Sequence, residues 1–150
     1  MTACVEDICQ IMEAIAPARL AESWDNVGLQ VGHRRWPVAT VMVALDPLTA
    51  VVHAACRAGA GMLVTHHPLI FKPLQQVDLE TPVGAIVATA LEHRLAIFSA
   101  HTNLDSAADG LNDLLAHRIG LTPDALSPLD APSLGSSERA SREGLGRDGS

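Results

Sequence analysis

Met62-Leu63-Val64-Thr65-His66-His67-Pro68 is the stretch around which the rest of the chain can be arranged. Its first four residues are β-prone and show no polar alternation, which is typical of a strand buried on both faces. Proline cannot donate to a strand ladder, so Pro68 predicts that regular pairing ends at the two histidines. The stretch therefore predicts a buried strand with imidazole groups at its carboxyl end.

Strands and helices alternate on both sides of this stretch. Leu48 to Ala58 is predicted as a helix closed by Gly59, and Pro82 is expected in the first turn of the next helix. The predicted strands are residues 40–45, 62–65 and 95–99, and the predicted helices are residues 5–16, 48–58, 83–94 and 107–119. The run 40–45 is also expected to be buried on both faces. This order predicts an α/β fold, a mostly parallel sheet of βαβ units with flanking helices.

Two segments depart from this alternation. Residues 24–32 are rich in turn formers and predict a shaped loop that leads into a short strand. In residues 122–150, 13 of 29 positions are Pro, Ser or Gly, and the hydrophobic periodicity disappears. We therefore expect one α/β metal-binding domain over residues 1–121, followed by a flexible linker or tail over residues 122–150.

Composition excludes several classes of protein. The 150 residues carry 10 basic and 17 acidic side chains, a formal net charge of -7. Lys72 is the only lysine and the nine arginines are scattered along the sequence, so no basic stripe is expected for nucleic acid. No apolar run approaches the ~20 residues that span a bilayer, so no membrane partner is expected. Cys4, Cys9 and Cys56 form an odd set without a CxxC pair, which favours a reducing compartment and a cytoplasmic location.

Candidate metal ligands follow two consecutive strands. His66 and His67 come just after the second strand, and His101 and Asp105 come just after the third. Ligands of open parallel sheets bind outside the carboxyl ends of the strands, so all four side chains are predicted to reach the same edge. The alternative for the histidine pair is a solvated strand end. Imidazole and carboxylate together suit zinc, iron, manganese or nickel, and softness does not choose among them.

Adjacent strand residues point to opposite faces, which favours two ions, with His66 and His67 each addressing a different one. A two-metal centre favours hydrolytic chemistry. Asp25 and Asn26 are predicted either to line the pocket or to form a turn held by Asx hydrogen bonds, and spacing leaves both open. The other four histidines are expected on the surface; they are His33, His53, His93 and His117.

Three blocks in this order resemble one known family. The blocks are Trp24-Asp25-Asn26-Val27-Gly28-Leu29-Gln30-Val31-Gly32, Val64-Thr65-His66-His67-Pro68-Leu69-Ile70-Phe71 and His101-Thr102-Asn103-Leu104-Asp105. They are similar to the signature blocks of the NGG-interacting-factor-three-like family, also called the GTP cyclohydrolase I type 2 homologues. The resemblance runs from about Val5 to Gly120, and residues 144–149 resemble a glycine-arginine turn that follows the first half of these proteins.

The resemblance implies a cytoplasmic α/β protein with two divalent metal ions per subunit, commonly assembled as a homo-oligomeric, ring-like hexamer. It implies hydrolytic opening of the guanine imidazole ring of GTP. His66, His67 and Asp105 match metal ligands of the family, and His101 matches a site histidine that ligates a metal or serves as the catalytic proton carrier.

One departure bears on this expectation. Members of the family continue further and complete the two-metal site with a histidine and a glutamate near the C-terminus, whereas this sequence ends at Ser150 without such a segment. The sequence therefore resembles a truncated form, the N-terminal half of the fold, whose activity truncation would impair. The alternative function is a non-catalytic, metal-binding protein that acts by forming oligomers.

Overall fold

The structure is a computed structural model that describes residues 2–121 and, as backbone, residues 126–128 and 147–149. A 3-10 turn at Ala18–Leu20 follows the first helix. The helices are α1 (Val5–Ile15), α2 (Thr49–Arg57), α3 (Pro82–Glu92), α4 (Thr102–Ser106) and α5 (Leu111–Arg118). The strands are β1 (Gly28–Val31), β2 (Val41–Ala44), β3 (Met62–Thr65), β4 (Ala96–Ser99), β5 (Leu126–Pro128) and β6 (Arg147–Gly149).

The main sheet has four strands in the order β1-β4-β3-β2. β3 lies at its centre and pairs in parallel with β2 on one side and with β4 on the other. β1 pairs with β4 in the antiparallel sense, with a bulge between Leu29 and Val31. The prediction of an α/β fold with a mostly parallel sheet and flanking helices is confirmed.

Helices cover both faces of the sheet. Leu63 and Ile97 point to the face covered by α2 and α3, where they join a buried cluster with Val52 and Ile86. Neighbouring strand residues point to the opposite face and meet side chains of α1; this second cluster contains Met62, Val64, Ala96 and Phe98 together with Val5 and Cys9. All residues of β3 and β4 are buried, as the unbroken apolar runs predicted.

The helix boundaries follow local signals. Pro82 is the first residue of α3, and the Thr81 hydroxyl accepts a hydrogen bond from the backbone N–H of Gly84 at 3.1 Å. At the start of α1, the Asp7 carboxylate accepts from the backbone N–H of Cys4 at 2.7 Å. This hydrogen bond to the charged form holds the pKa of Asp7 below its ordinary value.

The expectation that residues 40–45 form a strand buried on both faces is wrong. β2 is an edge strand, and Val41 and Val43 on one of its faces are 38% and 76% exposed. An apolar run cannot distinguish a central strand from an edge strand whose outer face lies uncovered, because both are rich in β-branched residues.

The predicted helix over residues 107–119 is also partly wrong. Within this range only α5 is helical, and it begins four residues later than predicted, directly after Gly110. The separate short helix α4 ends at Ser106, just before the predicted helix begins. A Cβ on Gly110 would lie 2.2 Å from the carbonyl oxygen of Leu104 and 2.7 Å from that of Ala107. The chain therefore turns tightly between the two helices, and the candidate ligand Asp105 lies on a helix that the periodicity did not reveal.

Beyond α5, β5 and β6 pair in the antiparallel sense as a separate two-stranded sheet. Most of the predicted linker or tail over residues 122–150 lies outside the described residues, so its flexibility stays a prediction. No helix in the described part of the chain is long and apolar enough to cross a bilayer.

Two glycines with positive φ provide a test of how tightly β1 is packed. Gly32 (φ 116°) follows β1, and a Cβ there would lie 3.0 Å from Cα of Ala96 and 3.2 Å from the Trp36 ring. Gly59 (φ 68°) has open space around it. Gly59→Ala should lower the free energy of unfolding by about 1–2 kcal/mol. Gly32→Ala should lower the free energy of unfolding by about 1–3 kcal/mol more than Gly59→Ala does, because the added Cβ also overpacks against Ala96 and Trp36.

Urea denaturation of both variants beside the parent chain measures the difference. Equal losses for the two alanine variants would contradict the tight packing of β1 against β4.

Candidate metal centre

Three histidines meet at the carboxyl ends of β3 and β4. His66 and His67 directly follow β3, and His101 follows β4. One ring nitrogen from each lies within 4.8 Å of the other two. The ring centroids are 5.0 Å apart for His66 and His67, 5.1 Å for His66 and His101, and 5.6 Å for His67 and His101. The expectation that these residues reach a common edge of the sheet is met by this histidine cluster.

The backbone around the histidine pair is held by two hydroxyl groups from the ends of the strands. The Thr65 hydroxyl donates to the carbonyl oxygen of His67 at 2.8 Å, and the Ser99 hydroxyl donates to that of His66 at 3.0 Å. Both hydroxyl-bearing residues are buried. β3 ends at Thr65, so the alternation of side chains between the two faces of a strand no longer applies to the next two residues. The rings of His66 and His67 therefore both join the histidine cluster instead of pointing to opposite faces of the sheet.

Each ring of this pair is oriented through its Nδ1 atom. Nδ1 of His66 lies 3.1 Å from the carbonyl oxygen of Ala100, and Nδ1 of His67 lies 2.6 Å from Oδ1 of Asp46. Both partners accept hydrogen bonds, so each Nδ1 carries the proton and Nε2 keeps its lone pair in the neutral ring. This is the tautomer that a metal-ligating histidine uses when an outer group holds its second nitrogen.

Asp25 holds the third ring in the same way. Its Oδ1 lies 2.9 Å from Nδ1 of His101, and its Oδ2 accepts from the backbone N–H of Thr102 at 3.1 Å and from the Thr102 hydroxyl. Oδ1 also accepts from the backbone N–H of Asn26 at 2.7 Å. Asp25 therefore lies at the site, the first of the two alternatives that spacing left open. Its local hydrogen bond is to the N–H of the next residue, Asn26, and not to the residue two positions on that an Asx turn uses.

The charge of Asp25 survives complete burial of the side chain, which is 0% exposed. Burial by itself raises the pKa of this carboxyl, but the hydrogen bonds from His101, Thr102 and Asn26 lower it by more. The net pKa lies below the ordinary value, so Asp25 is ionised at neutral pH and can hold the protonated Nδ1 of His101 in place.

Asp105 lies beside the histidine cluster on α4. Its Oδ1 is 3.8 Å from Nε2 of His66, and its side chain is 27% exposed. The backbone N–H groups of Leu104 and Asp105 donate to the carbonyl oxygen of His101 at 2.8 and 3.2 Å. Since α4 begins at the residue after His101, the histidine and the carboxylate belong to one helical turn that faces the end of β3.

The donor set fits a divalent transition-metal ion. Two nitrogen atoms bound to one ion at Zn–N distances lie about 3–4 Å apart, and the ring nitrogens of the histidine cluster all lie within 4.8 Å of one another. Three imidazole nitrogens with a carboxylate nearby are ligands that zinc, iron, manganese and nickel accept. The geometry thus allows all three histidines to address one ion, so separate ions for His66 and His67 are not required.

Asp46 was not among the candidate residues that the sequence pointed to. Asp46 lies just past β2, the neighbour of β3, so the rule that placed His66 and His101 at the carboxyl edge applies to it as well. The remaining histidines are exposed and lie outside the histidine cluster, as expected; they are His33, His53, His93 and His117.

Comparison with known proteins adds a family match. A model of the family Duf34/NIF3 (NGG1p interacting factor 3) matches residues 3–149. The chain is 38% identical over 122 residues to the GTP cyclohydrolase 1 type 2 homolog of Clostridium acetobutylicum, covering 81% of this chain and 46% of the relative. It is 40% identical over 126 residues to the homolog of Mycobacterium tuberculosis, covering 84% and 33%.

Solved structures agree with these relatives. A Bacillus cereus protein related to NIF3 matches with a TM-score of 0.80 and 38% identity, over 89% of this chain and 36% of that one. Reduced HcgD from Methanocaldococcus jannaschii matches with a TM-score of 0.79 and 34% identity, over 87% and 51%. The chain thus spans between a third and a half of the length of the relatives and structures that it resembles.

The different surroundings of Asp25 and Asp46 give a testable contrast. Asp25→Asn keeps the shape of the side chain but places an NH₂ group, itself a donor, opposite the donors of His101, Thr102 or Asn26. Because at least one buried hydrogen bond is lost, the variant should lower the free energy of unfolding by about 1–3 kcal/mol. Asp46→Asn is the matched control, because Asp46 is 39% exposed and holds one ring; its cost should stay below about 1 kcal/mol.

Urea denaturation gives the two free energies, and ¹⁵N chemical shifts report the tautomer of His101. We expect the Nδ1–H form of His101 in the parent chain and a loss of this preference in Asp25→Asn. Equal stability losses with an unchanged His101 tautomer would show that Asp25 does not orient this ring.

Proposed function

The chain belongs to the Duf34/NIF3 (NGG1p interacting factor 3) family, and we propose that it is a metal-dependent hydrolase of the GTP cyclohydrolase 1 type 2 kind. The observation that carries the proposal is the convergence of His66, His67 and His101, whose ring nitrogens lie within 4.8 Å while an acceptor holds each Nδ1. Histidines at a solvated strand end, the alternative interpretation, have no need for ring orientations fixed by hydrogen bonds at Nδ1.

The proposed ligands are the three histidines through Nε2 and Asp105 through a carboxylate oxygen. When bound, divalent ions would supply Lewis-acid activation of water for attack on the guanine imidazole ring of GTP. We propose two ions per subunit in the intact family site, drawn from zinc, iron, manganese or nickel. Two four-coordinate ions need about eight ligand positions, and this chain offers four side chains, so water or further residues must supply the others.

His101 has two alternative proposed roles, metal ligand or proton carrier, because the lone pair of its Nε2 atom can bind an ion or accept a proton but not both at once. Because Asp25 holds its Nδ1 at 2.9 Å, only Nε2 can take part in chemistry at the site. A neutral imidazole in this orientation accepts a proton at Nε2, and the ionised Asp25 stabilises the imidazolium that results. Asp46 and Asp25 would act by positioning His67 and His101.

A second candidate is a non-catalytic metal-binding protein that acts by assembling with copies of itself, with a hexamer as the expected form. The exposed apolar side chains of the β2 edge and the residues after it favour this candidate. Val43, Leu45 and Leu48, which lie close together in the sequence, are 76%, 59% and 61% exposed, and clustered exposed apolar side chains are typical of interaction surfaces. Cys4, Cys9 and Cys56 are all free thiols, which supports the proposed cytoplasmic location.

Metal content tests the proposed centre. The 150-residue protein, taken from a single size-exclusion peak, should retain divalent metal on elemental mass spectrometry. The double variant His66→Ala, His67→Ala should lose most of it, because half of the four proposed ligands are removed. His117→Ala, an exposed histidine of α5, is the matched control and should keep the parent metal content. Equal metal in all three proteins would contradict the centre.

Turnover separates the two functions. Metal-loaded protein incubated with GTP should give ring-opened product at a rate above that of the double variant. Retained metal and a defined oligomer with no product would exclude the hydrolase and favour the non-catalytic assembly.

A further inference from the structure

Two of the four aromatic side chains of this protein lie exposed beside the histidine cluster. The chain has two tryptophans, two phenylalanines and no tyrosine. Phe98 is buried and Trp36 packs against the buried cluster under α1. By contrast, Trp24 is 58% and Phe71 is 45% exposed. Large aromatic side chains gain most from burial, so the exposure of both rings at one place calls for a reason beyond packing.

The backbone that carries these rings is held by side-chain hydrogen bonds. Nδ2 of Asn26 donates to the carbonyl oxygen of Ile70 at 2.5 Å, and Oε1 of Gln30 accepts from the N–H of Ile70 at 2.9 Å. Nε2 of Gln30 donates to the carbonyl oxygen of Asn26 at 2.8 Å. The segment after Trp24 and the segment before Phe71 are thereby joined to each other, although neither ring is fixed by burial.

The two rings also have a defined relation to the histidines. The centroids of Trp24 and Phe71 are 5.9 Å apart, with an angle of 61° between the planes. The Trp24 ring lies 6.4 Å from the ring of His101 at 78°, an edge contact. Asp25, the next residue, bonds to His101 and Thr102 and so fixes the distance between Trp24 and the cluster. Edge contacts of this kind leave aromatic surface open to a further ring.

We propose that Trp24, with Phe71 packed at an angle against its ring, forms an aromatic platform whose exposed indole face stacks the flat heteroaromatic ring of a nucleobase beside the histidine cluster. The inference rests on the proposed function for its reaction, and it adds the residues that bind and position the base. Stacking accepts every base, because each has a π-face. The platform therefore supplies affinity and orientation, while the choice among bases depends on other contacts.

Ligand binding to Trp24 variants tests the platform. Base–aromatic stacking is worth about 1–3 kcal/mol per base, so Trp24→Leu should weaken GTP binding about 5- to 150-fold. Trp24→Phe keeps an aromatic face and should lose less than the leucine variant. Inorganic triphosphate, which has no ring, should bind the parent chain and Trp24→Leu equally, and the metal content should not change. Leu114→Ala, an equally exposed apolar residue on α5, is the control for surface changes.

Fluorescence gives an independent readout. In Trp36→Phe the only tryptophan is Trp24, and its emission should be quenched by GTP, ATP, CTP and UTP but not by inorganic triphosphate. Absence of quenching by all four nucleotides, or equal GTP affinity of Trp24→Leu and the parent, would overturn the platform. Binding that depends on Trp24 without turnover would keep the platform and reject the hydrolase, so the two failures are distinguishable.

Discussion

The in-register parallel pairing of β2, β3 and β4 is the constraint on which the candidate site depends. Thr65 lies opposite Ala44 on one side and Ser99 on the other, so the three strands end level with one another. Whatever follows these ends is brought to one edge of the sheet, whether or not it is close in sequence. A shift in register would move these ends apart and would exchange the two faces of a strand.

Hydrogen bonds around the histidine cluster turn this nearness into a defined geometry. Every ring is held at Nδ1 by an acceptor, and Asp25, the more buried of the two carboxylates, receives hydrogen bonds from His101, Asn26 and Thr102. Burying a carboxylate is costly unless its lone pairs are occupied, and here they are. Asp46, which is more exposed, holds His67 alone. The site is therefore most rigid around His101 and more open to solvent around His67.

Two separate parts of the molecule leave apolar groups uncovered. The two helical layers enclose the sheet on its faces, whereas the outer face of β2 and the rings of Trp24 and Phe71 are exposed. For Trp24 and Phe71, the hydrogen bonds of Asn26 and Gln30 that join their two segments, together with the contact between Trp24 and His101, favour a bound ligand. For β2, the exposed apolar face favours association with further protein.

The sequence alone determined the α/β class. The unbroken apolar runs of β3 and β4 and the helix boundaries at Pro82 and Gly59 are local signals, and local propensity and burial pattern can be read from consecutive residues. The strand ends also determined that His66, His67 and His101 would meet. Only the tertiary structure decided that β2 is an edge strand and that Asp25 and Asp46 hold the rings. These facts depend on which elements become neighbours, and a pairing such as that of Asp25 with His101, 76 residues apart, leaves no periodic signal in the sequence.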